Sequence, residues 1–322
     1  MLVVRSNATT LVRRQAPALT PTLTLQATRA SHSHSDSAAL LRDSVRKLDY
    51  DNYVCGLLLP QDTRAAFFAL RAMNAEIATI KDTIRNNPAT GKIRMQWWRE
   101  RIYSLYDRSS PAQETLVLRE LAKAVDQHNL TRRWFERLLD ARDQDLDVDQ
   151  PQTLRDLEVY ADKTAASLLY LTLECLNVRD SNADRAAGHA GVAIGLATLL
   201  RGTPHHLSRQ QLYLPEELIV KHGLSDDDIV AATTDAANGK KLAPVVFDIA
   251  CRAMEHLHLA RSLRGDVPPA GRPALLPLVP AAAYLEQLER VNFNVFDPSL
   301  TQQHSPLQLH FQILKHYFLR RY

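Results

Sequence analysis

From Asp36 onward, apolar residues recur at intervals of three and four along almost the whole chain, the spacing that lays one stripe down an α-helix. No stretch alternates strictly as a half-buried strand would, and no unit repeats at a fixed period. The pattern predicts a single all-α domain of about ten helices over residues 36–322. The first is expected over Ser37–Lys47, and a long one from Pro60 and Asp62 through Asp82. Others follow over Arg94–Tyr106, Gln113–His128, Thr131–Leu146, Thr153–Cys175 and Asn182–Arg201. A short helix after Pro215 ends at Gly223, and the last four cover Ser225–Thr234, Leu242–Leu263, Ala281–Arg290 and Leu307–Tyr322. Breaks are placed at Asn86-Asn87-Pro88 with Gly91, at Ser109-Ser110-Pro111, at the Asn129 turn and at Gly202-Thr203-Pro204.

The helix ending at Asp82 carries the first candidate site. Arg71, Asn74, Ala75, Ala78 and Asp82 share a stripe, while Phe67, Leu70, Met73 and Ile77 supply enough apolar surface to bury the helix. Polar and small residues on a buried helix mark a place where a ligand could lie. Gly188, Gly191 and Gly195 sit at small-residue spacing and admit close approach of a neighbouring helix or of a ligand. The acidic run LLDARDQDLDVD, residues 138–149, reads as a solvated face.

Composition narrows the class. Only 10 glycines among 322 residues argue against a nucleotide fold built on glycine turns. Three widely spaced cysteines, Cys55, Cys175 and Cys251, fit free buried thiols in a reducing compartment better than a disulfide framework or a zinc site. Residues 1–35 hold Arg5, Arg13, Arg14 and Arg29 and no acid, a composition expected of a cleaved mitochondrial transit peptide, or else of a disordered tail. Without those four arginines the formal charge of +3 falls to about −1. A near-neutral body lacks the basic footprint of a nucleic-acid binder.

Chemistry is scarce on the residues alone. There is no phosphate-cradling glycine loop, no nucleophile elbow and no histidine pair at metal-ligand spacing on an acidic helix. His205-His206, beside Arg201 and Arg209, is the sharpest cluster. It reads as a solvated loop or an anion contact, since two adjacent histidines lack a third metal ligand.

Four blocks carry a resemblance. LLLPQDTRAAFFALRAMNAEIA, RMQWWRERI, LLDARDQDLD with TLRDLEVYADKTAASLLYLTLE, and GVAIGLATLLRGTP with LYLPEEL resemble, in order, the blocks of squalene/phytoene synthases over about residues 50–224. The resemblance implies an isoprenoid-synthase-type helical bundle around a central cavity. In active members, two DxxxD pairs face each other across that cavity and hold Mg²⁺ against a diphosphate leaving group. Here the first pair falls on Asn74 and Ala78, and the second on Gly202 and His206 after the retained Leu199-Leu200-Arg201. No catalytic residue, metal or cofactor is therefore expected. Arg71, Asn74, Arg201 and Tyr213 remain as lining for a pocket that holds a lipid or isoprenoid, or that is filled by side chains.

RMQWWRERI, HNLTRRWF, KTAASLLYLTLE and VNFNVFDPSL resemble a non-catalytic mitochondrial branch of the family that serves respiratory complex I assembly. That implies a matrix protein peripheral to the inner membrane, with complex I subunits or other assembly factors as partners. The rival expectation is a prenyl transferase with altered metal ligands. Leu307, Leu309, Phe311, Ile313, Leu314, Tyr317 and Phe318 with Lys315, Arg320 and Arg321 suit either an interfacial anchor or a helix packed on the domain with a basic last turn.

Overall fold

The computed structural model describes residues 34–84, 87–107, 115–148, 150–234, 236–301 and 306–322, so all but the last two residues of the leader lie outside it. Among these residues there is no strand. The helices are α1 His34–Leu48, α2 Tyr50–Leu57, α3 Gln61–Ala78, α4 Ile80–Ile84, α5 Pro88–Ser104 and α6 Leu116–His128. They continue as α7 Arg132–Asp145, α8 Leu154–Ala161, α9 Ser167–Cys175, α10 Ser181–Ser208, α11 Glu216–Lys221 and α12 Asp226–Thr234. The last are α13 Ala236–Gly239, α14 Ala243–Ser262, α15 Leu278–Arg290, α16 Pro298–Thr301 and α17 Pro306–Phe318. Each expected helix has a counterpart in this set, with Thr153–Cys175 divided into α8 and α9, and α2, α4, α13 and α16 are additional short pieces.

Local chemistry sets many of the ends. Thr153 and Asp156 form a reciprocal capping box at α8, and Asp180 caps α10 through the amides of Asn182 and Ala183. Asn129 ends α6 in the left-handed region, φ 51°. Thr131 precedes α7 differently. Its amide and hydroxyl both donate to the buried Glu174 carboxylate of α9, tying two helices together.

Three expected breaks are moved by the structure. The helix expected to reach Asp82 stops at Ala78, where the Thr79 hydroxyl bonds the Glu76 carbonyl and a short α4 begins. Gly91 lies inside α5, pressed against Ile84 and Leu146. The Gly202-Thr203-Pro204 break does not occur, because α10 runs through it to Ser208. Pro204 forfeits its own backbone bond there, while the Thr203 hydroxyl donates to the Leu199 carbonyl at 3.1 Å and the helix persists.

Two apolar cores flank the cavity. One joins Phe67, Leu70 and Met73 of α3 to Leu121, Phe135 and Leu138. The other joins Leu196 and Leu200 of α10 to Ile249, Leu257 and Leu285. Between α8 and α9 the helix widens into a π-turn, Asp162–Ala166. The second core needs α10 to lie almost on the backbone of that turn. A Cβ on Gly191 would sit 2.4 Å from Ala166 Cα, and one on Gly195 2.5 Å from Ala161 Cβ. Cys55, Cys175 and Cys251 are free as expected, although Cys251 is only half-buried.

Candidate functional site

A cavity of about 360 Å³ opens between α3, α7, α8, the π-turn, α9 and α10. Arg71, Asn74, Ala75, Ala78 and Asp82 all reach its wall, so the stripe read from the sequence faces a space. Arg201, His206 and Tyr213 line it as well. Gly202 does not. Because α10 is continuous, Gly202 and His206 stand one turn apart, and the His206 ring folds back over the glycine. A Cβ at 202 would lie 2.6 Å from His206 Nε2. The ring also packs edge-on against Tyr213 at 4.7 Å and faces Gln211. Burial lowers the His206 pKa, which keeps the imidazole neutral.

The arginines proposed as pocket lining are already engaged. Arg71 donates through Nε at 2.8 Å, and through Nη2, to the Asp49 carboxylate, with both side chains largely buried. Burial alone would raise the Asp49 pKa, but Arg71 and the Asn52 amide outweigh it and hold the carboxyl below its ordinary range. Arg201 Nη1 lies 2.6 Å from Asp51 Oδ2.

The deepest polar feature was hidden in the acidic run. Asp145 is buried rather than solvated, and Lys81 Nζ donates to its Oδ1 at 3.0 Å and to its carbonyl at 2.6 Å. The Tyr213 hydroxyl donates to Asp145 Oδ2 at 2.7 Å, and that of Tyr160 at 3.3 Å. Arg142 Nη1 in turn donates to Tyr160 at 2.6 Å. Burial, then the neighbouring phenol of Tyr160 and the Asp145 carboxylate, push the Tyr213 phenol well above its usual range. Three other acids of the run behave as expected, Asp140 pairing with Arg99, and Asp143 and Asp147 with Lys92, near the surface, while Asp149 lies outside the described residues. Asp145 was legible in principle, since it falls one turn after Ala141 and two after Leu138 on the buried stripe of α7.

Asp145, Tyr160 and Tyr213 also bound a second cavity, of about 460 Å³, whose remaining wall includes Val148, Pro151, Leu157 and Leu212. The three side chains are a partition between two spaces. In the central cavity two buried polar atoms have no hydrogen-bond partner, Asn74 Oδ1 and Arg142 Nε. His205 points elsewhere, toward Asp82 at 3.5 Å on the exposed side of α10, and sits on a helix rather than on the expected loop.

A magnesium–diphosphate site does not fit these residues. Positions 74, 78, 202 and 206 offer an amide, a methyl, a bare Cα and a neutral imidazole, while Asp49 and Asp145 are neutralised by Arg71 and Lys81. Among the described residues no cluster of three His, Cys, Asp or Glu side chains could hold a metal.

The squalene/phytoene synthase family model matches residues 45–309. The chain belongs to this family. Its fold agrees: it superimposes on a dehydrosqualene synthase solved with ligand at a TM-score of 0.73, covering 88% of this chain and 98% of that one at 19% identity. Much nearer in sequence are proteins named "NADH dehydrogenase (ubiquinone) complex I, assembly factor 6". The Rattus norvegicus protein is 43% identical over 279 residues, 86% of this chain and 82% of that one. The Homo sapiens protein is 41% identical over 269 residues, 84% and 79% respectively. This squalene/phytoene synthase family member therefore has the helical bundle and a central cavity, with Asn, Ala, Gly and His at positions 74, 78, 202 and 206.

Proposed function

We propose that this chain is a non-catalytic member of the family that serves the early assembly of mitochondrial respiratory complex I, working through protein or lipid contacts. The observation that carries the reading is the charge state of the cavity. On its wall Asp49 and Asp145 are matched by Arg71 and Lys81, and Asp82 stands only beside His205, so one carboxylate remains where a clamp on Mg²⁺ against a diphosphate needs paired ones. Ionising an allylic diphosphate without that clamp forfeits the main electrostatic help for the step. The likeness to the rat and human assembly factors supports the same conclusion and supplies the process. Residues 1–35 direct import and are then removed, and the folded part works in the matrix at the inner membrane. No described helix is long and apolar enough to cross a membrane.

The cavity keeps a role as a holder of a neutral lipid or isoprenoid. Arg71 and Arg201 are occupied by carboxylates, so the ligand's polar end meets Asn74 Oδ1 and Arg142 Nε instead. Two experiments test the proposal. Cells lacking the protein should accumulate incomplete complex I on native gels and be rescued by re-expression; normal assembly without it overturns the role. Purified protein with farnesyl or geranylgeranyl diphosphate and Mg²⁺ should show no turnover; turnover abolished by Arg71→Ala or Arg201→Ala overturns the non-catalytic reading.

A further inference from the structure

Helix α17 has two apolar faces, and only one of them is used. Ile313 is fully buried, and Leu309 and Tyr317 pack beside it against Val54, Cys55, Leu276 and Val279 of the body. Tyr50 and His310 share a 2.9 Å hydrogen bond across the same seam. The end of the helix is held down by Tyr322, whose hydroxyl donates to the Ala260 carbonyl and whose carbonyl accepts from Arg261 Nε. On the opposite side, Leu307, Phe311, Leu314 and Phe318 follow one another at three- and four-residue spacing, a single outward ridge. Leu307 is 76% exposed, Phe311 69% and Phe318 76%, with Leu319 half-exposed just beyond.

A lone exposed leucine is ordinary, but four large apolar side chains aligned on one helix are a binding surface. Its electrostatic frame indicates the occupant. From Leu307 to Tyr322 the sequence contains no Asp or Glu, and Lys315, Arg320 and Arg321 are all exposed beside the ridge. Arg261 and Arg264 add cations from the neighbouring α14 end, opposed there by Glu286 and Asp266. An apolar ridge bordered by cations is the pattern of a helix that lies in the plane of an anionic bilayer, rings among the acyl chains and cations among the phosphates. A protein groove would match the ridge but not the one-sided charge.

We propose that the outer face of α17 docks this protein on an anionic phospholipid surface, with Phe311 and Phe318 as inserted rings and Lys315, Arg320 and Arg321 as headgroup contacts. The inference rests on the peripheral-membrane part of the functional reading and gives it a location in the fold.

The test is flotation of the full-length protein with phosphatidylcholine vesicles, with and without phosphatidylglycerol. Wild type should float only with the anionic vesicles and be released by raised salt. Phe311→Ser with Phe318→Ser should weaken partitioning by about tenfold for each ring. Replacing Lys315, Arg320 and Arg321 by Gln should weaken it by about fivefold per charge. Both sets are solvent-exposed, so unchanged circular dichroism and melting temperature serve as the folding control. Failure of wild type to float, flotation independent of anionic lipid, or unchanged flotation of the Phe variant each overturns the proposal. A wild-type dimer dissolved by Phe311→Ser with Phe318→Ser also overturns it, by assigning the face to a second copy. Complex I assembly in the deletion cells is scored separately, so a wild-type protein that fails to float yet rescues assembly removes α17 docking and leaves the assembly role standing.

Discussion

Arg71 and Asp49 show how one residue's environment sets the sign of a pH effect. Asp49 is held below its ordinary pKa of 3.8, so its contribution to stability is complete above about pH 4 and is lost as pH falls through the lower folded value. Arg71→Met should remove about 3–5 kcal/mol at pH 7, because it leaves a buried carboxylate unpaired. The variant should then gain stability relative to wild type as the pH drops toward 5, since protonating Asp49 relieves the unpaired charge. Adding Asp49→Leu should recover most of the loss and remove the pH dependence. Urea denaturation at pH 7 and pH 5 checks all three outcomes, and an Arg71→Met protein as stable as wild type would show that the pair carries no load.

At the scale of elements, the glycines of α10 divide by what they touch. Gly191→Ala forces a methyl into the Ala166 backbone of the π-turn and should cost about 3 kcal/mol. Gly188→Ala meets only the Tyr170 hydroxyl at 3.0 Å and should stay within about 1 kcal/mol of wild type, helped by better helix propensity. Thermal denaturation distinguishes them; equal melting temperatures would mean that α10 is free to shift on the turn. The sequence pattern disclosed the helices because each needs a continuous apolar stripe, and it disclosed the Arg71–Asp82 face because polar residues interrupt such a stripe. It concealed the π-turn, which leaves no compositional mark on Asp162–Ala166. Pro204 misled because a single missing amide does not end a helix whose other turns are packed, and α10 runs on through it to Ser208. Asp145 was hidden by company: four acids in eight residues suggest solvent, and only their helical phase separates the buried one from the rest.

At the scale of the whole molecule, the proposed non-catalytic reading rests on a cavity whose charge is balanced by side chains. The wall of the central cavity carries Arg71, Lys81, Arg142 and Arg201 with Asp49, Asp82 and Asp145, and Asp51 pairs with Arg201 beside it, close to neutrality without any ion. Mg²⁺ with inorganic diphosphate should therefore leave the melting temperature unchanged, whereas a long-chain isoprenoid alcohol should raise it. A shift with Mg²⁺ and diphosphate that Arg142→Met abolishes would contradict the charge balance. The family fold was legible because its ordered blocks cover the bundle. The pairing of Lys81 with Asp145 was not, since the two are brought together only by the meeting of α4 with the end of α7.

On the proposed non-catalytic reading, that Lys81–Asp145 contact also makes the family's chemistry hard to install. Writing Asp back at positions 74, 78, 202 and 206 would repair the spelling of both motifs. It would also bring carboxylates at 74, 78 and 206 up against Asp49, Asp82 and Asp145, with Lys81 seated among them. On that reading the chemistry is guarded by residues outside the four positions, and installing it would have to begin by displacing Lys81.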